Sequence, residues 1–205
     1  MKKLTLFLSF LISTAGLLLA QSDTDVMQDL QVDVVYLASD YLEGRATGER
    51  GEALAAAYMV KRFKEIGLTP KGTDGSWYQS FPFKELVNPH TTEGAREGTG
   101  KNVLAYLDNG AETTVIIGAH YDHLGMGGSG SRHTGEAAIH NGADDNASGV
   151  AAMFQIAEHL KTSGNAKGNN YLFIGFSGEE MGLFGSKYYV ENPTVDLTKV
   201  NYMLN

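Results

Sequence analysis

Val115-Ile116-Ile117-Gly118-Ala119 is an apolar run that ends on His120-Tyr121-Asp122-His123. Its apolar residues do not alternate with polar ones, the pattern of a strand covered on both faces. The run predicts a strand over residues 114–119, deep in a sheet. Residues 171–176 have the same character and lead straight into Ser177-Gly178-Glu179-Glu180. Between the two, residues 148–162 carry Val150, Met153, Phe154, Ala157 and Leu160 at helical spacing. A further helix is expected over about 181–190, and a last strand over 200–204. Strand, helix, strand, helix, strand is the order of an α/β sheet with helices on its faces. The expected class is α/β, a three-layer sandwich with a mixed, mostly parallel central sheet whose C-terminal part lies beyond Asn205. In such sheets chemistry collects at the carboxyl ends of strands, and His120 and Glu179 both fall there.

Upstream, residues 23–39 read as a helix with Asp23 or Thr24 as N-cap. A second helix over about 52–66 buries Ala56, Met59, Val60, Phe63 and Ile66, and Gly67 supplies its stop. Residues 40–51 read as a polar, Gly-containing connection. The aromatic segment 77–83 is extended, and Pro82 confines it to a sheet edge. The polar, charged and Gly-rich stretch 84–100 reads as a long surface loop, 102–107 as a strand and 124–140 as a loose Gly/Ser loop.

The chain opens Met1-Lys2-Lys3, continues with an apolar stretch over residues 4–19, and reaches Ala20-Gln21. A basic start, a short apolar region and a small residue before a polar one describe a secretory signal peptide. The stretch is short against the about 20 apolar residues of a bilayer crossing. The expected organisation is a signal peptide over 1–20, cleaved after Ala20, and one catalytic domain over 21–205, incomplete at its C-terminus. The expected location is secreted or periplasmic, with no stable membrane insertion after cleavage. The 205 residues contain no cysteine, so disulfides and a lipid-anchoring cysteine are excluded, and a zinc ion must sit on His and carboxylate ligands. Loss of Lys2 and Lys3 moves the formal charge from −8 to −10, which argues against a nucleic-acid partner.

Three clusters carry metal-ligand residues: His120-Tyr121-Asp122-His123, Asn141-Gly142-Ala143-Asp144-Asp145-Asn146-Ala147-Ser148-Gly149, and Phe176-Ser177-Gly178-Glu179-Glu180. A lone Asp-Asp or Glu-Glu pair is ordinarily solvated surface, and a lone His at a strand end is ordinarily structural. Three such clusters at strand and helix ends together suggest a dinuclear metallohydrolase. That chemistry needs a carboxylate bridging two ions, further N or O ligands on each, and a base beside an activated water.

The chain resembles the M28 family of zinc aminopeptidases. The likeness rests on Ala119-His120-Tyr121-Asp122-His123-Leu124-Gly125, on Gly142-Ala143-Asp144-Asp145-Asn146-Ala147-Ser148-Gly149, and on Ser177-Gly178-Glu179-Glu180-Met181-Gly182-Leu183. The resemblance implies two Zn2+ ions and a peptide substrate that loses its N-terminal residue. It implies His120 as ligand to one zinc, with Asp122 behind the imidazole and accepting its hydrogen bond. It implies Asp145 as the bridging carboxylate, ahead of a cis Asp145–Asn146 peptide bond. Glu179 would be the general base and Glu180 the ligand to the second zinc. Asp144 reads instead as a loop or helix N-terminal acid, favoured by the helix dipole, His123 as a supporting or loop residue, and His133 and His140 as solvated. The family also supplies an Asp at the end of the strand begun at Val200 and a later His. The full-length protein is thus the expected enzyme, and residues 1–205 alone are expected to hold zinc weakly. Two other functions compete: a glutaminyl cyclase, which uses a related scaffold with one zinc, and a non-catalytic module that has kept the fold.

Overall fold

A computed structural model describes residues 23–86, 95–127, 130–164 and 166–205. The segment expected as a signal peptide, 1–20, lies outside these residues. Helices α1 (Asp23–Leu37) and α2 (Arg50–Ile66) open the described chain. Gly67 ends α2 in a left-handed conformation (φ 82°), its N–H returning to the carbonyls of Phe63 and Lys64, so the expected glycine stop holds.

The strands are β1 (Thr69–Pro70), β2 (Tyr78–Leu86), β3 (Ala95–Leu107), β4 (Thr114–His120), β5 (Asn170–Phe176) and β6 (Val200–Leu204). Helix α3 (Ser148–Thr162) links β4 to β5, and α4 (Phe184–Glu191) precedes β6. The sheet order is β1-β3-β5-β4-β6, with β2 also paired to β3. β4 runs parallel to β5 and β6, whereas β3 is antiparallel to β1, β2 and β5. The sheet is mixed as expected, but its parallel part is confined to β4, β5 and β6.

Two apolar layers sandwich it. One face of the sheet, through Val103, Val115, Ile117 and Phe173, packs with α1, α2 and α3. The other, through Leu104, Ile116, Leu172 and Ile174, packs with Tyr189 of α4. All of β4 is buried, which is why its sequence shows no alternation. Three layers result, and burial of each large side chain adds about 1.5–3 kcal/mol relative to exposure. Among the described residues, no helix is long and apolar enough to cross a membrane.

The stretch expected as a surface loop, 84–100, departs from that reading. Its described ends belong to a β-hairpin in which Lys84, Glu85 and Leu86 pair with Glu97, Arg96 and Ala95. Its charges are cross-strand partners, with Lys84 to Glu97 at 2.7 Å and Arg96 to Glu85 at 3.3 Å. Its glycines make room for rings: a Cβ on Gly98 would lie 2.6 Å from Phe83 Cζ, and one on Gly100 2.5 Å from Phe81 Cζ. The last helix also starts later than expected, because Glu179 to Leu183 forms a turn before α4.

Candidate metal centre

Strands β4 and β5 stop side by side, with His120 opposite Phe176. One more ladder bond, Tyr121 N–H to the Phe176 carbonyl at 2.9 Å, carries Asp122 toward the turn that holds Glu179 and Glu180. Antiparallel β3 brings Asn102 to the same edge. Its Oδ1 accepts from Ser177 N–H at 3.2 Å and its Nδ2 donates to the Gly185 carbonyl at 2.8 Å, bracketing that turn at both ends.

Asp145 arrives from the other side, on the turn Ala143–Ala147 that leads into α3. The Asp145–Asn146 peptide bond is cis, as the resemblance implied. Asn146 Oδ1 accepts from Gly149 N–H at 2.9 Å, and Ala147 N–H donates to the Gly142 carbonyl at 3.1 Å.

The three clusters meet. His120 Nε2 lies 2.9 Å from Asp145 Oδ1 and 4.0 Å from Glu179 Oε2. His120, Glu179 and Glu180 each offer a ligand atom within 4.8 Å of the others. His123, expected only as a supporting or loop residue, donates from Nδ1 to Glu180 Oε1 at 2.5 Å. That bond is the largest influence holding the Glu180 carboxyl below its ordinary range. Asp144 is exposed, its main-chain carbonyl accepting from Ser148 Oγ at 2.9 Å. His133 is exposed, while His140 is half-buried, its Nε2 2.6 Å from Ser131 Oγ.

Asp122 sits behind His120, but differently from what was expected. The imidazole Nδ1 faces the main-chain carbonyl of Asp122 at 3.3 Å. Its carboxylate is 3.9 Å from that nitrogen, beyond hydrogen-bond reach. A carbonyl only accepts, so Nδ1 is the donor and Nε2 is directed at the carboxylates. The Asp122 carboxylate instead accepts from Glu179 N–H at 3.1 Å, Glu180 N–H at 3.4 Å and Thr47 Oγ1 at 3.1 Å. Burial raises its pKa, and these hydrogen bonds and the nearby His120 oppose the rise.

An imidazole nitrogen and several carboxylate oxygens converging at one sheet edge make a donor set that suits zinc and similar divalent ions. Beside Glu180 and His123 opens a cleft of about 930 Å3, with Leu124, Met126, Met181 and Phe184 on its walls and Glu43 and Glu49 among its lining residues.

Sequence reasoning passed over the supports supplied by the segment after α1. Glu52 on α2 is 3% exposed. It accepts from Ser177 Oγ and, at 2.7 Å, from Gly48 N–H, with the Tyr121 hydroxyl 3.2 Å away. Burial pushes its pKa up, while the Ser177 and Gly48 bonds pull it down. Glu52→Ala strands the buried Ser177 hydroxyl at about 1–3 kcal/mol and releases the exposed Gly48 N–H to water. The expected loss is about 1–3 kcal/mol, read as a lower urea midpoint at unchanged m-value; a shift under about 1 kcal/mol would count against the network.

The profile of peptidase family M28 matches residues 102–205, half of the chain. The chain belongs to peptidase family M28. It is 28% identical over 167 residues to the alkaline phosphatase isozyme conversion protein of Escherichia coli (strain K12), covering 80% of this chain and 46% of that protein. It is 32% identical over 142 residues to the probable lipoprotein aminopeptidase LpqL of Mycobacterium tuberculosis, covering 69% of this chain and 24% of that one. The chain thus spans less than half the length of these relatives. In fold it is similar to a Zn-dependent exopeptidase from Parabacteroides distasonis, with TM-score 0.64 at 18% identity over 90% of this chain and 61% of the other. It is similar also to the glutaminyl cyclase of Fimbriiglobus ruber, with TM-score 0.63 at 20% identity over 90% and 60%.

Proposed function

We propose that this chain carries the metal centre of a zinc-dependent exopeptidase that removes N-terminal residues from peptides. The observation that carries the reading is the convergence of His120, Asp145, Glu179 and Glu180 at the ends of two parallel strands. In this reading His120, Asp145 and Glu180 would hold two zinc ions. Zinc acidifies water to a pKa near 7 and polarises the scissile carbonyl.

Glu179 is the proton carrier. Its side chain is 38% exposed, and its carboxylate accepts a proton from water and returns it to the leaving amine. Asp122 orients Glu179 and Glu180 through their N–H groups. The apolar walls of the cleft accept a side chain of the substrate. Residues 21–205 belong to the catalytic domain, and residues 1–20 export it from the cytoplasm.

The test uses the protein produced from its complete reading frame. Two equivalents of zinc and release of p-nitroaniline from an aminoacyl-anilide are expected. Cyclisation of N-terminal glutamine with one zinc would replace this reading by a glutaminyl cyclase, and failure to take up any metal would leave a non-catalytic module.

A further inference from the structure

Among the described residues, Arg45 is the largest fully buried side chain, at 1% exposure. Its donors go to four main-chain carbonyls from three parts of the chain. Nε donates to Tyr121 O at 2.7 Å, Nη1 to Leu37 O and to Asn141 O at 2.8 Å, and Nη2 to Gly142 O at 3.0 Å. Tyr121 sits between His120 and Asp122, and Asn141 and Gly142 begin the turn that delivers Asp145. One planar fork therefore grips both approaches to the centre.

The backbone around Arg45 serves the same junction. Glu43, Gly44 and Arg45 have φ of 51°, 70° and 51°, a left-handed run that non-glycine residues adopt only when their surroundings enforce it. In that shape the Gly44 carbonyl accepts from Gly125 N–H at 2.9 Å, the Arg45 carbonyl from His123 N–H at 3.1 Å, and the Gly125 carbonyl from His140 N–H at 2.7 Å. A Cβ on Gly44 would stand 2.5 Å from Gly125 O and 2.7 Å from His140 O. The loop after β4 and the loop before α3 are thus docked on one short segment.

We infer that Arg45 is a positioning residue for the metal centre, its guanidinium setting the separation of His120 from Asp145 by holding the Tyr121 carbonyl against those of Asn141 and Gly142. The inference rests on the metal-centre reading and adds a residue to it. Burial pulls the guanidinium pKa down to about 10, while Asp122, Glu180 and Asp145 hold it up, so the group stays cationic at neutral pH. A buried cation beside carboxylates also offsets their mutual repulsion before any ion arrives. Lysine cannot reproduce the grip: its single nitrogen has three donors and no planar fork.

The experiment compares the full-length protein with Arg45→Lys and Arg45→Gln, using Co2+ alone as the probe. Near-UV circular dichroism reads the fold, and the visible spectrum reads the coordination of the ion. A folded Arg45→Lys with about tenfold or more weaker Co2+ affinity, displaced visible bands, and kcat reduced more than KM is the expected result. A folded Arg45→Lys with the unsubstituted protein's affinity and bands overturns the inference. Loss of the fold in both variants also overturns it, making Arg45 a structural residue. Failure of the unsubstituted protein to bind Co2+ instead removes the metal-centre reading itself.

Discussion

Replacing Glu179 by glutamine is expected to lower kcat by about 10^2–10^4-fold while metal content stays that of the unsubstituted protein. Glutamine keeps the shape of the side chain and loses its capacity to take up a proton. The backbone anchor survives, because Glu179 is held through its N–H to Asp122 Oδ1 at 3.1 Å. A neighbour cannot easily stand in, since Glu180 is engaged with His123 at 2.5 Å and is only 19% exposed. Glu179 also lies in the group that could hold an ion with His120 and Glu180, so kcat and zinc content must be measured together. Loss of zinc along with activity would make Glu179 a ligand; full activity would remove it from the chemistry.

Asp122→Asn is expected to weaken metal affinity by about 10–100-fold, with kcat falling as well. This residue orients three groups at once. Its carbonyl faces His120 Nδ1, and its two carboxylate oxygens accept from the N–H groups of Glu179 and Glu180. Asparagine would turn an NH2 toward one of those N–H groups, donor against donor, and that end of the turn would have to move. It would also remove a negative charge near Arg45. Competition against a chelator of known affinity measures the first effect. A variant that competes as well as the parent and turns over normally would show that Asp122 merely fills space.

Much of this arrangement was legible because burial on both faces leaves a mark in the sequence. Residues 115–119 and 171–176 could be assigned from unbroken apolarity alone, and α3 matches its expected span of 148–162. Of β2 and β3, residues 77–83 and 102–107 were legible as extended, but the outer part of their hairpin, within 84–100, was not. Its glycines and charges resemble a loop until Phe81, Phe83, Lys84 and Glu85 are seen lying across from them. The supports of the centre were hidden for a different reason. Local pattern treats Arg45 and Glu52 as solvated, yet their partners Tyr121 and Ser177 lie 76 and 125 residues along the chain. Only the folded contacts reveal that either charge is buried. His123 was set aside for the same reason, since its partner Glu180 is 57 residues away.

The stretch by which the family is recognised begins at residue 102, whereas Arg45, Thr47 and Glu52 come from well before it. The supports thus lie outside the stretch that the family profile covers, although similarity to the Escherichia coli relative extends over 167 residues. A relative could keep every acid and imidazole of the recognisable half and still diverge in performance through changes in a short passage upstream. Engineers swapping catalytic halves between such proteins would need to carry residues 43–52 along with them.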